Sequence, residues 1–204
     1  MKKVFVAFSV LLAILMVSGT ASALTITLSD PGGRYSSGGP FDADLSDGTS
    51  FITFCLETTE SLQFGIPYFF TKDPYAVEGG GGAVGGKDDL DAESAWLYFQ
   101  FRTGNPLYQD MQAIQEALWI LEKETYYAPY HPAATAGYIK DAQDAVTLGW
   151  SNKHVGVYNL YLVDETGAKI PKQSLIGLVP EPATLLLLGL GLLGLGVSSR
   201  KLRK

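Results

Sequence analysis

Residues 51–56 read FITFCL, a run of aromatic and β-branched side chains that predicts a β-strand. Side chains alternate between the two faces of a strand, so Phe51 and Cys55 share one face while Phe54 and Leu56 lie on the other. Cys55 is the single cysteine of the 204-residue chain. The stretch therefore places the one thiol on a strand of the predicted β core.

The residues on either side of this strand contain further β patterns. Residues 24–28 alternate in polarity, and residues 68–71 and 154–163 are rich in aromatic and β-branched side chains. Residues 174–179 can pair back as a hairpin across a turn at 164–167. These segments predict several short strands at both ends of the domain.

Helical patterns separate the two groups of strands. Six glycines among the eight residues 79–86 predict a flexible loop, and Asp91 is placed to cap a helix through residues 92–99. A second helix is predicted over 108–124, where apolar residues recur at helical spacing, and a third over 134–148.

Residues 30–49 are crowded with Gly, Ser, Asp and Pro, which predicts a long loop or an irregular edge. The order of strands, helices and strands, without an internal repeat, favours an α+β fold. We expect an antiparallel β core, sandwich-like or barrel-like, with an inserted helical segment.

The first 23 residues have the three parts of a secretory signal peptide. Lys2 and Lys3 precede an apolar run at residues 4–17, and small residues at 21–23 form a cleavage site. We expect cleavage to leave residues 24–179 as the exported domain.

The tail at residues 180–204 also has three parts, which are Pro180-Glu181-Pro182, an apolar run, and a basic end that includes Arg200 and Lys201. It resembles the PEP-CTERM sorting signal of Gram-negative bacteria. The resemblance implies processing by an exosortase-type enzyme, transient insertion of a short transmembrane segment into the inner membrane, and delivery to the cell envelope or extracellular matrix.

The domain at residues 24–179 is long enough to bury one core. It carries 9 basic and 20 acidic residues, a net charge of −11. Nucleic acid is therefore excluded as a partner, because no basic face is available to the phosphates. Two histidines are too few for a His-based metal site, and the sequence predicts no cofactor.

A single cysteine in an exported protein cannot form a disulfide within its own chain. Cys55 is therefore an intermolecular link, a buried inert thiol or a reactive group. The sequence around it leaves these alternatives open.

The central part of the domain resembles the thioester domains of bacterial surface adhesins. Residues 54–57 read FCLE, similar to their aromatic-Cys-aliphatic-acidic segment, and residues 114–119 read IQEALW, similar to their Thr-Gln-x-Ala-aliphatic-Trp segment. The resemblance implies an internal thioester between Cys55 on a strand and Gln115 on a helix. Ile114 stands where those domains have Thr.

The chemistry of these residue types fits that implication. A thiolate held against a carboxamide can displace ammonia and leave an activated acyl group, provided that water is excluded. Trp119 is placed one helical turn after Gln115 and could cover the bond. Glu57 or Glu116 could carry the proton when an amine attacks. We expect a single-use attachment module, not a turnover enzyme, whose partner is an amine or hydroxyl nucleophile on a surface polymer or exopolysaccharide.

Two other interpretations stay open at this point. Cys55 could be an inert core thiol and Gln115 an ordinary helix residue of a non-covalent structural or carbohydrate-binding matrix protein. Alternatively, Cys55 could act in a secreted Cys hydrolase with partners drawn from Asn152, His131 and His154.

Two further groups of residues are candidates for ligand binding. A calcium ion could be held by carboxylates after the glycine run, namely Asp88, Asp89, Asp91 and Glu93. A sugar could stack on an aromatic loop, formed by Tyr126, Tyr127 and Tyr130 beside His131. A solvated loop explains the first group equally well, and packing over the core explains the second.

Overall fold

The computed structural model of the protein describes residues 23–30, 38–77, 83–124, 129–152 and 154–179. Within these ranges the strands are β1 Thr25–Ser29, β2 Phe41–Leu45, β3 Ser50–Cys55, β4 Pro67–Asp73, β5 Tyr75–Val77, β6 Lys87–Asp89, β7 Val155–Val163 and β8 Lys169–Leu178. The helices are α1 Ala92–Arg102, α2 Met111–Leu121 and α3 Pro132–Thr147.

Six of the described strands form a closed antiparallel barrel in the order β1-β2-β3-β8-β7-β4. Strand β4 returns to β1, where Ile26 pairs with Tyr68. The junction between β3 and β8 is short, with the pairs Phe54–Ile176 and Cys55–Leu175. The helices are inserted between β6 and β7, which confirms the predicted α+β fold in its barrel-like form.

Strand β3 separates the two parts of the hydrophobic core, as its alternation predicts. Cys55 packs inside the barrel with Leu28 and Leu175. Phe54 and Leu56 face outward and pack against the helices. Complete burial of a side chain such as Phe54 contributes about 1.5–3 kcal/mol, so both faces of this strand stabilise its position.

Helix α2 contacts both of the other helices, and nearly all of its residues are buried. The Asp110 carboxylate caps its first turn by accepting a hydrogen bond from the backbone N–H of Ala113 at 3.1 Å. Its last turn ends at Glu122, and Lys123 follows in the left-handed region with a φ of 60°. The position of this helix is therefore set by packing and by signals at both ends.

The predicted loop at residues 30–49 is wrong in part, because β2 lies within it. Phe41, Ala43 and Leu45 are buried inside the barrel and alternate with two aspartates. The strand pattern is present in these five residues, but the surrounding Gly and Ser residues obscured it. Strand β8 also begins five residues before the predicted 174, because Lys169 to Pro171 pair with the end of β7.

Asp91 occupies the N-cap position of α1, but its side chain accepts no capping hydrogen bond. Its carboxylate instead forms an ion pair with Lys123, with 3.1 Å between Nζ and Oδ2. Asp91 therefore lies at the predicted N-cap position, but its side chain does not cap the helix.

Among the helices in the described ranges, none combines the length and the apolarity needed to cross a membrane. The predicted signal peptide, apart from Ala23, and the predicted tail from Pro180 onward lie outside the described residues. The same is true of Tyr126 and Tyr127 in the predicted aromatic loop.

Candidate functional site

The structure brings Cys55 and Gln115 together, although 60 residues separate them in the chain. The backbone N–H of Cys55 donates a hydrogen bond to Oε1 of Gln115 at 3.0 Å. Nε2 of Gln115 donates in turn to the backbone carbonyl of Cys55 at 2.8 Å. Both ends of the carboxamide are therefore bound by the main chain of the cysteine, in a site where Gln115 is 0% exposed.

A pair of glycines covers this contact. The carbonyl of Gly38 accepts a second hydrogen bond from the Cys55 N–H at 3.1 Å. A Cβ atom at Gly38 would lie 2.1 Å from the Trp119 ring, and one at Gly39 would lie 3.0 Å from Oε1 of Gln115. The backbone of Gly38 and Gly39 can approach Trp119 and Gln115 this closely only because the two glycines have no side chains. Trp119, itself 5% exposed, packs in the barrel cluster that also contains Cys55.

The Cys55 thiol is nearly inaccessible to water, with 4% of the residue exposed. Burial raises the pKa of the Cys55 thiol well above its ordinary value, and the nearby charges of Glu60 and Glu57 raise it further. A free thiol in this position stays protonated at neutral pH. It is therefore a poor nucleophile toward external substrates, although it can react with a group already held beside it.

Glu60 was missed by the sequence analysis. Its carboxylate accepts a hydrogen bond from the backbone N–H of Ser174 at 3.1 Å. Ser174 in turn accepts from Leu56 N–H at 3.0 Å and precedes Leu175, the partner of Cys55 across the barrel junction. Strand β8 thus holds Glu60 beside the cysteine, and no local sequence pattern reports this arrangement.

Glu57 is buried and belongs to a group of three carboxylates, with Asp88 and Glu124, whose oxygens lie within 4.8 Å of one another. Glu124 also accepts hydrogen bonds from the Thr58 N–H and hydroxyl at 2.8 and 2.7 Å. These contacts tie the segment after Cys55 to the end of α2. The predicted calcium ligands do not form one group in the described residues, since Asp91 pairs with Lys123 and only Asp88 joins this cluster.

Glu116, which the sequence suggested as a proton carrier, is held between two helices by hydrogen bonds. Its buried carboxylate accepts four hydrogen bonds, from Gln112 Nε2, Tyr130 N, His131 N and Thr135 Oγ1, at 2.8–3.1 Å. Burial alone would raise the pKa of Glu116, but these donors lower it below its ordinary value. The carboxylate therefore stays ionised and fixes the start of α3 against α2.

Among the residues that the structure describes, the Cys-His arrangement of a Cys hydrolase is not assembled. His131 Nδ1 lies 2.7 Å from Asp110 Oδ2, and this contact raises the pKa of His131. His154 lines a surface cleft with Trp150, and Asn152 binds the backbone at the start of β7. None of the described hydrogen bonds joins either histidine to Cys55. The raised pKa of the thiol argues against the same activity.

The comparison with known protein families concerns the end of the chain. Residues 178–201 match the PEP-CTERM protein-sorting motif. The chain is therefore an exported protein of the cell envelope, and the motif marks it as a protein sorted by exosortase. No curated protein and no solved structure matches the chain.

Proposed function

We propose that this exported protein is a covalent attachment module whose internal thioester joins Cys55 to Gln115. The observation that carries the proposal is the pair of hydrogen bonds between the Gln115 carboxamide and the Cys55 main chain, in a site closed to water. A carboxamide oriented in this way is held against the cysteine before any reaction begins.

The bond forms by nucleophilic acyl substitution. Sγ of Cys55 attacks Cδ of Gln115, and negative charge develops on Oε1, which the Cys55 N–H stabilises from 3.0 Å. The Cδ–Nε2 bond then breaks, and the nitrogen leaves as ammonia after receiving the thiol proton. Glu60 or Glu57 is positioned near the thiol to transfer that proton.

The main-chain contacts also account for Ile114, which replaces the Thr expected from the resemblance. Ile114 is buried in the core between the helices and the barrel. Orientation of the Gln115 carboxamide is supplied by the backbone of Cys55, so a hydroxyl at position 114 is not required for it.

Attachment occurs when an amine or hydroxyl attacks the thioester carbonyl. The new bond is an amide or ester to the Gln115 acyl group, and Cys55 leaves as a thiol after accepting the nucleophile's proton. The attack requires a local shift of Gly38 and Trp119, which cover the pair. The sorting motif supplies the location, since exosortase processing near residues 180–182 would display the domain on the envelope or in the matrix.

The test is the mass of the protein and of the peptides that contain the pair. A thioester lowers the mass by one ammonia, protects Cys55 from alkylation and incorporates methylamine at Gln115 with release of one thiol. Cys55→Ala is the matched control, because it removes the sulfur while the hydrogen bonds of Gln115 to the main chain remain available. Full mass together with complete alkylation of the fresh native protein would show that Cys55 is an ordinary thiol.

A further inference from the structure

A second candidate site lies on the outside of the barrel and uses none of the residues around Cys55. It is a cleft of about 220 Å³. Its lining is mainly apolar. The lining residues are Thr71, Val77, Asn159, Leu160, Tyr161, Lys169, Pro171 and Lys172.

An irregularity in β8 directs a lysine into this cleft. Asn159 pairs with Ser174 and Tyr161 with Pro171, so β8 contains one more residue than β7 across this interval. In a regular strand Lys172 would face away from Lys169, because alternate residues occupy opposite faces. The extra residue changes this alternation, and both lysines line the same cleft.

The two lysines have no acidic partner among the described residues. Lys169 places Nζ 4.2 Å from the centre of the Tyr161 ring, and Lys172 forms neither an ion pair nor a hydrogen bond with any residue in the described ranges. The carboxylate of Asp73 accepts hydrogen bonds at Oδ2 from Thr71 and Asn159, two of the residues that line the cleft, and forms no ion pair with either lysine. The cleft therefore has two available positive charges, in a domain whose net charge is −11.

We propose that this cleft binds one carboxylated sugar ring of an acidic polysaccharide. Its volume is below the roughly 300–1,000 Å³ of ordinary small-molecule sites, which suits a single ring. A pyranose presents apolar C–H faces and a polar edge, and the cleft offers apolar surface from Val77 and Pro171. The carboxylate of the sugar pairs with Lys169 and Lys172, which line the cleft.

The binding of a short oligogalacturonate to the full-length protein, measured by calorimetry at low and moderate salt, tests this proposal. We expect saturable binding that weakens with salt. Lys169→Gln and Lys172→Gln should each weaken it by about tenfold or more, since each removes a charged hydrogen-bond donor. Lys140→Gln is the matched control, because it removes the same charge from the exposed side of α3 and should leave the affinity unchanged.

Four results would overturn the proposal. They are the absence of oligogalacturonate binding, equal binding of the neutral galactose oligomer, equal binding of a short acidic peptide, and equal weakening by Lys140→Gln. The first result would show that the cleft does not bind acidic sugars. The second and third would show that it does not recognise the carboxylate or the sugar ring. The last would show that binding is general electrostatic attraction and not recognition at this cleft. Thermal unfolding of each variant shows whether its fold is retained, and none of these results depends on the thioester.

Discussion

Replacing Gly38 with Ala should destabilise the protein through contact with Trp119. The new Cβ would lie 2.1 Å from Cζ2 and 2.3 Å from Cη2 of the indole, so the ring or the backbone must move. Overpacking of this kind costs about 1–3 kcal/mol. A positive φ of 84° adds about 1–2 kcal/mol for any residue with a side chain. We therefore expect a loss of about 2–5 kcal/mol in the free energy of unfolding.

Gly48→Ala is the matched control for this change. Gly48 has a similar φ of 88°, and no atom lies within 4 Å of the position that its Cβ would occupy. It should show only the backbone cost, so the difference between the two variants measures the contact with Trp119. Urea denaturation gives both values, and methylamine should add at Gln115 faster in Gly38→Ala alone, because the packing of Gly38 against Trp119 is lost. Equal destabilisation by both substitutions would refute the close packing described here.

Three further predictions concern polar groups. In the Cys55→Ala background, where no thioester can form, Gln115→Ala should lower the free energy of unfolding by about 2–5 kcal/mol, because it breaks two buried hydrogen bonds to the main chain; equal stability of Cys55→Ala and the double variant in urea denaturation would contradict this. Glu116→Gln should cost about 2–4 kcal/mol and destabilise the start of α3, which hydrogen exchange at Thr135 would detect; unchanged exchange would argue against the four-donor arrangement. Burial, with a smaller effect of nearby carboxylates, raises the pKa of Glu122 to about 8 from an ordinary value of 4.5. In the unfolded chain Glu122 loses its proton at the ordinary pKa of 4.5, whereas the folded protein keeps it up to about pH 8. As the pH rises between these values, the free energy of unfolding should therefore fall by up to about 1.4 kcal/mol per pH unit. A urea series across that range should show no such slope for Glu122→Gln.

Sequence patterns predicted the elements whose signal is local and periodic. The alternation of β3 gave the correct faces for Phe54 and Cys55, and the apolar spacing of α2 gave a helix at Gln115. The helix is shorter than the predicted range 108–124. It begins after the N-cap Asp110 and ends at the C-cap Glu122, because capping depends on backbone geometry as well as composition.

The rest of the candidate site depends on contacts between segments that are distant in the chain. Gly38 lies in a stretch whose composition indicates only a loop, and its role follows from its approach to Trp119. Glu60 is placed beside Cys55 by β8, which is more than 110 residues further along. The short strands β5 and β6 are three residues each, too short for a periodic signal. Gly38 and Glu60 therefore reach the site only when the barrel closes.

The junction between β3 and β8 would have a mechanical consequence for a domain held to the envelope through its sorting motif. The sorting motif begins at Leu178, the last residue of β8, so tension applied to the anchor enters the domain along this strand. Strand β8 pairs with β3 through two residue pairs, and one of these pairs is Cys55 with Leu175. Tension that enters along β8 therefore reaches Cys55 after crossing a single strand pairing, before it reaches the helix that carries Gln115.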